Sequence, residues 1–316
     1  YYDFSRQRAA GYAEAHDLGE FLYRLHFLAP LNEVPIRLGY PFGYVLAGIV
    51  SFMFLFAVIT GLLLHWDKLF TNFFTFRPWS RWKTVWTDLH TTLGVIGFPF
   101  QLLYAVTGMV LIINILLLQP FSHWLYEGDT EQLYTEIGDG DGRPTAYQHR
   151  PLEGQVSLNR YLQDLQVRWP ECRLNRIYIR NYGDESMRIT IDADAEPSRH
   201  FAGHGRLVIY PAQDSVAYEK SPYHSAEQPD RIKAFVYRLH FGDFGGYPVK
   251  TSFFVLGVMG CLVILSGILI WLVARDKKSV PLHKRRFNHW AANTFVAVCL
   301  TLLPVTAFTF IMVKIQ

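Results

Sequence analysis

Cysteine is scarce in this chain: among 316 residues there are only Cys172, Cys261 and Cys299, and no two of them stand as Cys-x-x-Cys. That spacing argues against a zinc site, a thioredoxin-like motif and haem attached through Cys-x-x-Cys-His, and three cysteines make no disulfide framework. Charge is scarce too. Charged residues are 18% of the chain, below the roughly one quarter of a soluble domain. The net charge of +3, with no basic stripe interleaved with aromatics, speaks against a nucleic-acid partner. There is no Walker loop, no His-Glu-x-x-His, no Gly-x-Ser-x-Gly and no Rossmann fingerprint, so no known motif binds a nicotinamide or flavin. The sequence opens on Tyr1 with no visible signal peptide, and a further spanning helix or signal upstream of it is expected.

What is abundant is apolar and aromatic. Half the residues are hydrophobic, with 24 Phe, 18 Tyr and 8 Trp, and they gather in blocks. Residues 42–66 form a charge-free run closing on His65-Trp66. Residues 91–118 form a second with Pro99 inside, 249–274 a third and 290–313 a fourth with Pro304. Each is long enough to cross the ~30 Å hydrocarbon core, and interior prolines are tolerated there. The segment 67–89 between the first two carries Phe73, Phe74, Phe76, Trp79, Trp82 and Trp86, an interfacial aromatic belt.

The blocks repeat in a fixed order. Tyr23-Arg24-Leu25-His26-Phe27 returns as Tyr237-Arg238-Leu239-His240-Phe241. Each phrase precedes a Gly-Tyr-Pro (39–41 and 246–248) and an apolar run closing on Thr60-Gly61 or Ser266-Gly267. A basic loop and another histidine, His90 or His289, open the next run, and Val106-Thr107 and Val305-Thr306 follow at equal distance. The fold class is therefore an α-helical membrane protein of four transmembrane helices in two parallel two-helix repeats, with a small α+β domain between them. The divisions are 1–41, a lead-in with a short amphipathic helix N-capped by Asp17; 42–118, the first helix pair; 119–233, the α+β domain; and 234–316, a second lead-in and helix pair. Within the α+β domain, Gly138-Asp139-Gly140-Asp141-Gly142 reads as a loop, and the acids around 127–141 as a solvated linker. Residues 156–169 read as a helix begun by Ser157 and stopped by Pro170. About three antiparallel strands follow, at 176–180, 186–192 and 206–210. Positive loops at 67–89 and 275–289 assign those ends to the cytoplasm. The lead-ins and the central domain then lie outside.

Parallel repeats relate equivalent residues at equal depth, which pairs His26 with His240 at the outer level and His90 with His289 at the inner. Two facing histidine pairs at two levels of a bundle suit two bis-imidazole haems. Taken singly, any of these histidines reads as an interfacial residue; the repetition carries the haem reading. His65, whose repeat equivalent is Trp271, is a substitute ligand or a neighbour of the inner haem. His283 reads as solvated, and His123 has no repeat partner. Arg24 and Arg238 either pair with haem propionates or snorkel to the outer surface. His200 and His204, in the glycine-containing stretch 199–205, read as part of a solvated turn.

With those residues in place, the chain resembles the PepSY-associated transmembrane family over nearly its whole length. The likeness lies in the two Leu-His-Phe phrases before spans ending in Thr60-Gly61 and Ser266-Gly267. It also lies in Asp88-Leu89-His90-Thr-Thr-Leu-Gly94 and in the helix–strand module with Trp169-Pro170. The resemblance implies a bacterial inner-membrane protein with its central domain in the periplasm and two haem b groups on His26, His90, His240 and His289. Its expected work is passing electrons from a cytoplasmic or quinol donor to a ferric siderophore, an oxidoreductase that releases iron by reduction. Two other classes stand beside it: a quinol-linked, cytochrome b-like carrier to a protein partner, and a non-catalytic PepSY binding module on a membrane anchor.

Overall fold

The computed structural model describes residues 2–3, 8–9, 11, 18–36, 41–130, 132–133, 146–224 and 228–315. The expected N-cap Asp17 and the 138–142 loop lie outside them, as does most of the acidic linker. Among the described residues, four helices are long and apolar enough to span a membrane: Phe42–His65, Trp82–Ile113, Gly246–Arg275 and Leu282–Ile315. Their side chains are largely exposed, Leu63, Phe56, Phe254 and Leu303 among them. Apolar surface on that scale belongs in lipid, not water. The chain is a multi-pass membrane protein.

Two units compose it, Tyr1–Ile112 with Phe254–Gln316, and Ile113–Phe253. In the first, the two-residue strands β1 (Tyr2–Asp3) and β2 (Arg8–Ala9) pair antiparallel, and α1 (Leu18–His26) follows. A 3₁₀ turn, Ala29–Glu33, leads to α2 (Phe42–His65). The Asn32 side chain accepts a hydrogen bond from Gly43 N at 2.8 Å, satisfying one of the donors that a helix start leaves open. Short α3 (Leu69–Phe73) precedes α4 (Trp82–Leu125), and α7 (Gly246–Arg275) and α8 (Leu282–Ile315) form the second pair.

The helices reach beyond the apolar runs: α4 begins at Trp82 and α8 at Leu282, so each charged approach to a span is already helical. His90 and His289 do not open their helices but lie about two turns inside. The aromatic side chains of that segment are exposed, Trp79, Phe74 and Trp82 at 98%, 82% and 75% around the α3–α4 connection.

In the second unit, α5 (Leu158–Arg168) starts after Ser157 and ends at Trp169, before Pro170. It packs Leu165 and Trp169 on Met187, Ile189, Ile191, Ala193, Leu207 and Ile209. These residues come from an antiparallel sheet in the order β3 (Arg173–Arg180), β4 (Arg188–Asp194), β5 (His204–Tyr210), β6 (Ser215–Lys220). The sheet has four strands where three were expected. Ser-Val-Ala-Tyr-Glu-Lys of β6 is an edge strand exposed nearly throughout, so it lacks the alternation that marks a half-buried strand. Ser186 lies before β4, in the turn that Asp184 organises. Helix α6 (Gln228–Phe241) belongs to this unit. Lys220 of β6 pairs with Asp230 at 2.6 Å, and Arg238 Nε donates to the Phe201 carbonyl at 2.8 Å.

Candidate functional site

The helix positions around His90 form the best-defined polar arrangement within the spans. Two turns into α4, the ring packs against α7 of the other repeat. Its Nδ1 lies 2.9 Å from the Val263 carbonyl oxygen and 3.2 Å from Ser266 Oγ. A carbonyl only accepts, so the proton sits on Nδ1 and the neutral ring keeps its lone pair on Nε2. Val263 and Ser266 are themselves buried. Ser266 Oγ also bonds back to the Leu262 and Val263 carbonyls, at 2.7 and 3.0 Å. At the repeat-equivalent position Thr60 Oγ1 does the same to Phe56 and Ala57, at 2.8 and 3.2 Å. This back-bonding is what the small hydroxyl before each repeated glycine does.

The glycines themselves differ. A Cβ on Gly267 would stand 3.2 Å from His90 Cε1 and 3.5 Å from Nδ1, whereas one on Gly61 would meet nothing within 4 Å. Gly267 thus lets the imidazole lie close against α7. An imidazole whose Nδ1–H is held by a backbone carbonyl, leaving Nε2 able to bind a metal, is the standard second-sphere arrangement of a ligating histidine. His90 fits a haem-iron ligand by that test. His65 is the last residue of α2.

Each α-helix bearing an inner histidine is stapled to the preceding loop by a charge pair, with the signs reversed between repeats. In the first, the buried Asp88 carboxylate accepts from Arg77 N, Nε and Nη2 at 3.0, 3.0 and 2.9 Å. The bond raises the Arg77 pKa above its ordinary value. In the second, the loop supplies the acid: Asp276 accepts from Arg285 Nε at 2.6 Å and lies 3.2 Å from His289 Nε2. The hydrogen bond from Arg285 holds the Asp276 carboxyl below the usual carboxylate range, against a smaller opposing effect of burial, with His289 adding to it. His289 therefore spends its Nε2–H on Asp276. It sits 44% exposed, and no described hydrogen bond joins it to His90.

The outer histidines occupy equivalent helix ends. His26 is the last residue of α1 and His240 the next to last of α6. His26 is exposed and His240 half-buried, with the His240 ring 5.4 Å from that of Phe241. They fall in different units. The repeated arginines have local partners. Arg24 pairs with Glu20 at 2.6 Å, and Arg238 holds Asp243 at 2.6 Å besides the Phe201 carbonyl. The expected solvated turn at 199–205 holds only in part. His204 opens β5 and its Nδ1 lies 2.8 Å from Asp194, while His200 stacks edge-on to Tyr223. His283 is exposed in the first turn of α8, and His123 is exposed near the end of α4. Among the described residues, no three His, Cys, Asp or Glu side chains gather as a metal cluster.

Sequence reasoning found His90 but missed its partners, Val263 and Ser266, and both charge staples. The repeated Thr/Ser-Gly dipeptide was the available signal for Ser266 and Gly267. Asp276 and Arg285 carried none, because loop ion pairs leave no periodicity. Compared with known proteins, the sequence profile of the PepSY-associated TM region matches residues 4–274. An uncharacterised protein of Pseudomonas aeruginosa is 26% identical over 285 residues, covering 84% of this chain and 68% of the relative.

Proposed function

Because this chain belongs to the PepSY-associated transmembrane family, we propose that it is a bacterial inner-membrane oxidoreductase carrying electrons from the cytoplasmic side to a periplasmic ferric siderophore. The observation that supports this most directly is the His90 ring, protonated on Nδ1 by its contact with the Val263 carbonyl and left with an Nε2 lone pair. In this reading His90 and His289 hold an inner haem b, and His26 and His240 an outer one. Bound there, haem b supplies reversible one-electron iron chemistry, its potential set by axial ligands and burial.

The chain's own residues do the positioning. Val263 and Ser266 fix the orientation of His90, and Gly267 gives the ring room. Arg77–Asp88 pins the approach to α4. His289, whose Nε2 lies 3.2 Å from Asp276, would hold the haem only once freed from that carboxylate, with His65 as the substitute ligand. No side chain has to act as acid or base, since weaker binding of ferrous iron by an oxygen-rich chelator releases the metal. The second unit and the outer lead-ins face the periplasm in this reading, and residues 74–81 and 276–281 face the cytoplasm.

The test is a reduced-minus-oxidised spectrum of the full chain purified from haem-replete cells. It is followed by haem quantification and by addition of a ferric hydroxamate siderophore to the dithionite-reduced protein. Two haems per chain, one lost in His90→Ala, with reoxidation by the chelate, is the expected result. A colourless preparation overturns the haem reading and leaves a PepSY binding module. Haem without reoxidation leaves a quinol-linked carrier to a protein partner.

A further inference from the structure

Helix α8 is longer than the membrane it crosses. Its 34 residues, Leu282–Ile315, extend roughly 51 Å at ~1.5 Å per residue, against a hydrocarbon core of ~30 Å. Charged side chains enter that core only at a cost, so the first two turns, with Lys284, Arg285 and Arg286, stand in the headgroup layer. Those turns have two sides. Arg285 and His289 turn to Asp276, at 2.6 and 3.2 Å, with half-buried Asn288 and buried Ala292 beside them. His283, Arg286, Phe287 and Trp290 hold the opposite side, at the i, i+3, i+4 and i+7 spacing of one helix face. All four are exposed, Phe287 at 62% and Trp290 at 64%.

The rings of Phe287 and Trp290 lie 6.0 Å apart and 34° from parallel, a shelf beside Arg286 with exposed Lys284 at its flank. Residues 275–290 hold six Lys or Arg and a single acid, Asp276, and Arg285 takes it. Among the described residues no acid pairs with Lys284 or Arg286. The other repeat has no such pair of cations. Counted from His90 as these two are from His289, the equivalent positions are Val85 and Thr87.

Three properties of this face select its occupant. An unpaired guanidinium beside an unpaired ammonium calls for an oxyanion, and the guanidinium fork matches phosphate. An exposed aromatic shelf calls for hydrocarbon, with the Trp290 indole N–H able to donate to an ester carbonyl at the interface. The same side continues into the span at exposed Val298, so the occupant lies in the bilayer. We propose that the first two turns of α8 bind one anionic phospholipid, its phosphate on Arg286 and Lys284 and its ester and upper acyl chain against Phe287 and Trp290. The site requires no haem and does not rest on the electron-transfer reading.

The experiment is native mass spectrometry of the full chain in detergent, titrated with palmitoyl-oleoyl phosphatidylglycerol or the matching phosphatidylcholine, with melting temperatures measured on the same samples. The wild type is expected to hold one phosphatidylglycerol at least tenfold more tightly than phosphatidylcholine. Each cation near an anionic headgroup contributes about fivefold, so Lys284→Gln/Arg286→Gln should weaken phosphatidylglycerol binding at least tenfold. Lys277→Gln/Lys278→Gln removes the same charge from the loop before the helix and should weaken it by less than about threefold. Equal losses in the two double variants mean diffuse attraction to charged lipid and overturn the site. A wild type without preference for phosphatidylglycerol overturns it too, and that result needs no variant to fold. Displacement of the bound lipid by inorganic phosphate shows a site for the free anion and overturns the lipid assignment.

Discussion

The two repeated glycines allow one substitution to be tested against itself. Replacing glycine by alanine inside a helix ordinarily stabilises it by about 0.5–1 kcal/mol. At Gly61 the added methyl meets nothing within 4 Å, so Gly61→Ala should show that gain and leave haem content unchanged. At Gly267 the methyl would lie 3.2 Å from His90 Cε1, inside the usual ~3.5–4.0 Å carbon contact. The imidazole must retreat by a few tenths of an ångström from a 2.9 Å bond to Val263. A weakened hydrogen bond costs about 0.5–1.5 kcal/mol, which cancels the helix gain. Loss of a second-sphere partner typically lowers metal affinity about 10–100-fold. Gly267→Ala should therefore melt close to wild type yet lose haem to an apomyoglobin sink at least tenfold faster from the site that His90 is proposed to serve. The assay pairs thermal unfolding in detergent with haem-transfer kinetics. If Gly61→Ala and Gly267→Ala lose haem at the same rate, Gly267 has no role in seating His90 and the reasoning fails.

Three further expectations follow from the ion pairs and the topology. The folded-state pKa of Asp276 is depressed. Its contribution is then fully present above the unfolded value near 3.9 and is lost as pH falls through the lower folded value. Thermal melts of wild type and Asp276→Asn should differ at pH 7 and converge in acid; a difference that grows on acidification contradicts the assignment. Asp184, fully buried, accepts from Gln148 N, Arg150 N, Ser186 N and the Ser186 hydroxyl. Hydrogen bonding holds its carboxyl below the ordinary range despite the opposing effect of burial. Asp184→Ala should raise amide hydrogen exchange at 148, 150 and 186 by at least tenfold while β4–β5 pairing stays protected; unchanged exchange would show that other groups hold that turn. For orientation, cysteines placed at Trp79 and Tyr182, 98% and 80% exposed, should react with an impermeant maleimide from opposite sides of the membrane, Tyr182→Cys in intact spheroplasts and Trp79→Cys only after lysis. The reverse pattern inverts the topology.

What could be read without coordinates was whatever leaves a one-dimensional trace. Charge-free runs of bilayer length mark spans because lipid tolerates nothing else, and the repeated phrases mark two related halves. The helix of the central domain was legible from Ser157 and Pro170, and three of its strands from β-branched runs. Strand β6 was not, because an exposed edge strand owes its pairing to β5 and not to a buried face of its own. The helix starts before His90 and His289 were not legible, since hydropathy marks where an apolar run begins and not where hydrogen bonding does.

The site divides along the same line. That histidines recur at matching places in the repeats is a property of the sequence. Which nitrogen of His90 carries its proton is decided by a carbonyl 173 residues away, and the engagement of His289 with Asp276 by a loop ion pair. Contacts between distant segments exist only once helices pack. So the sequence determined a four-span membrane protein with histidines recurring in its two halves, and tertiary structure alone decided how His90 and His289 are held and that the buried Gln101 amide nitrogen is left without a partner.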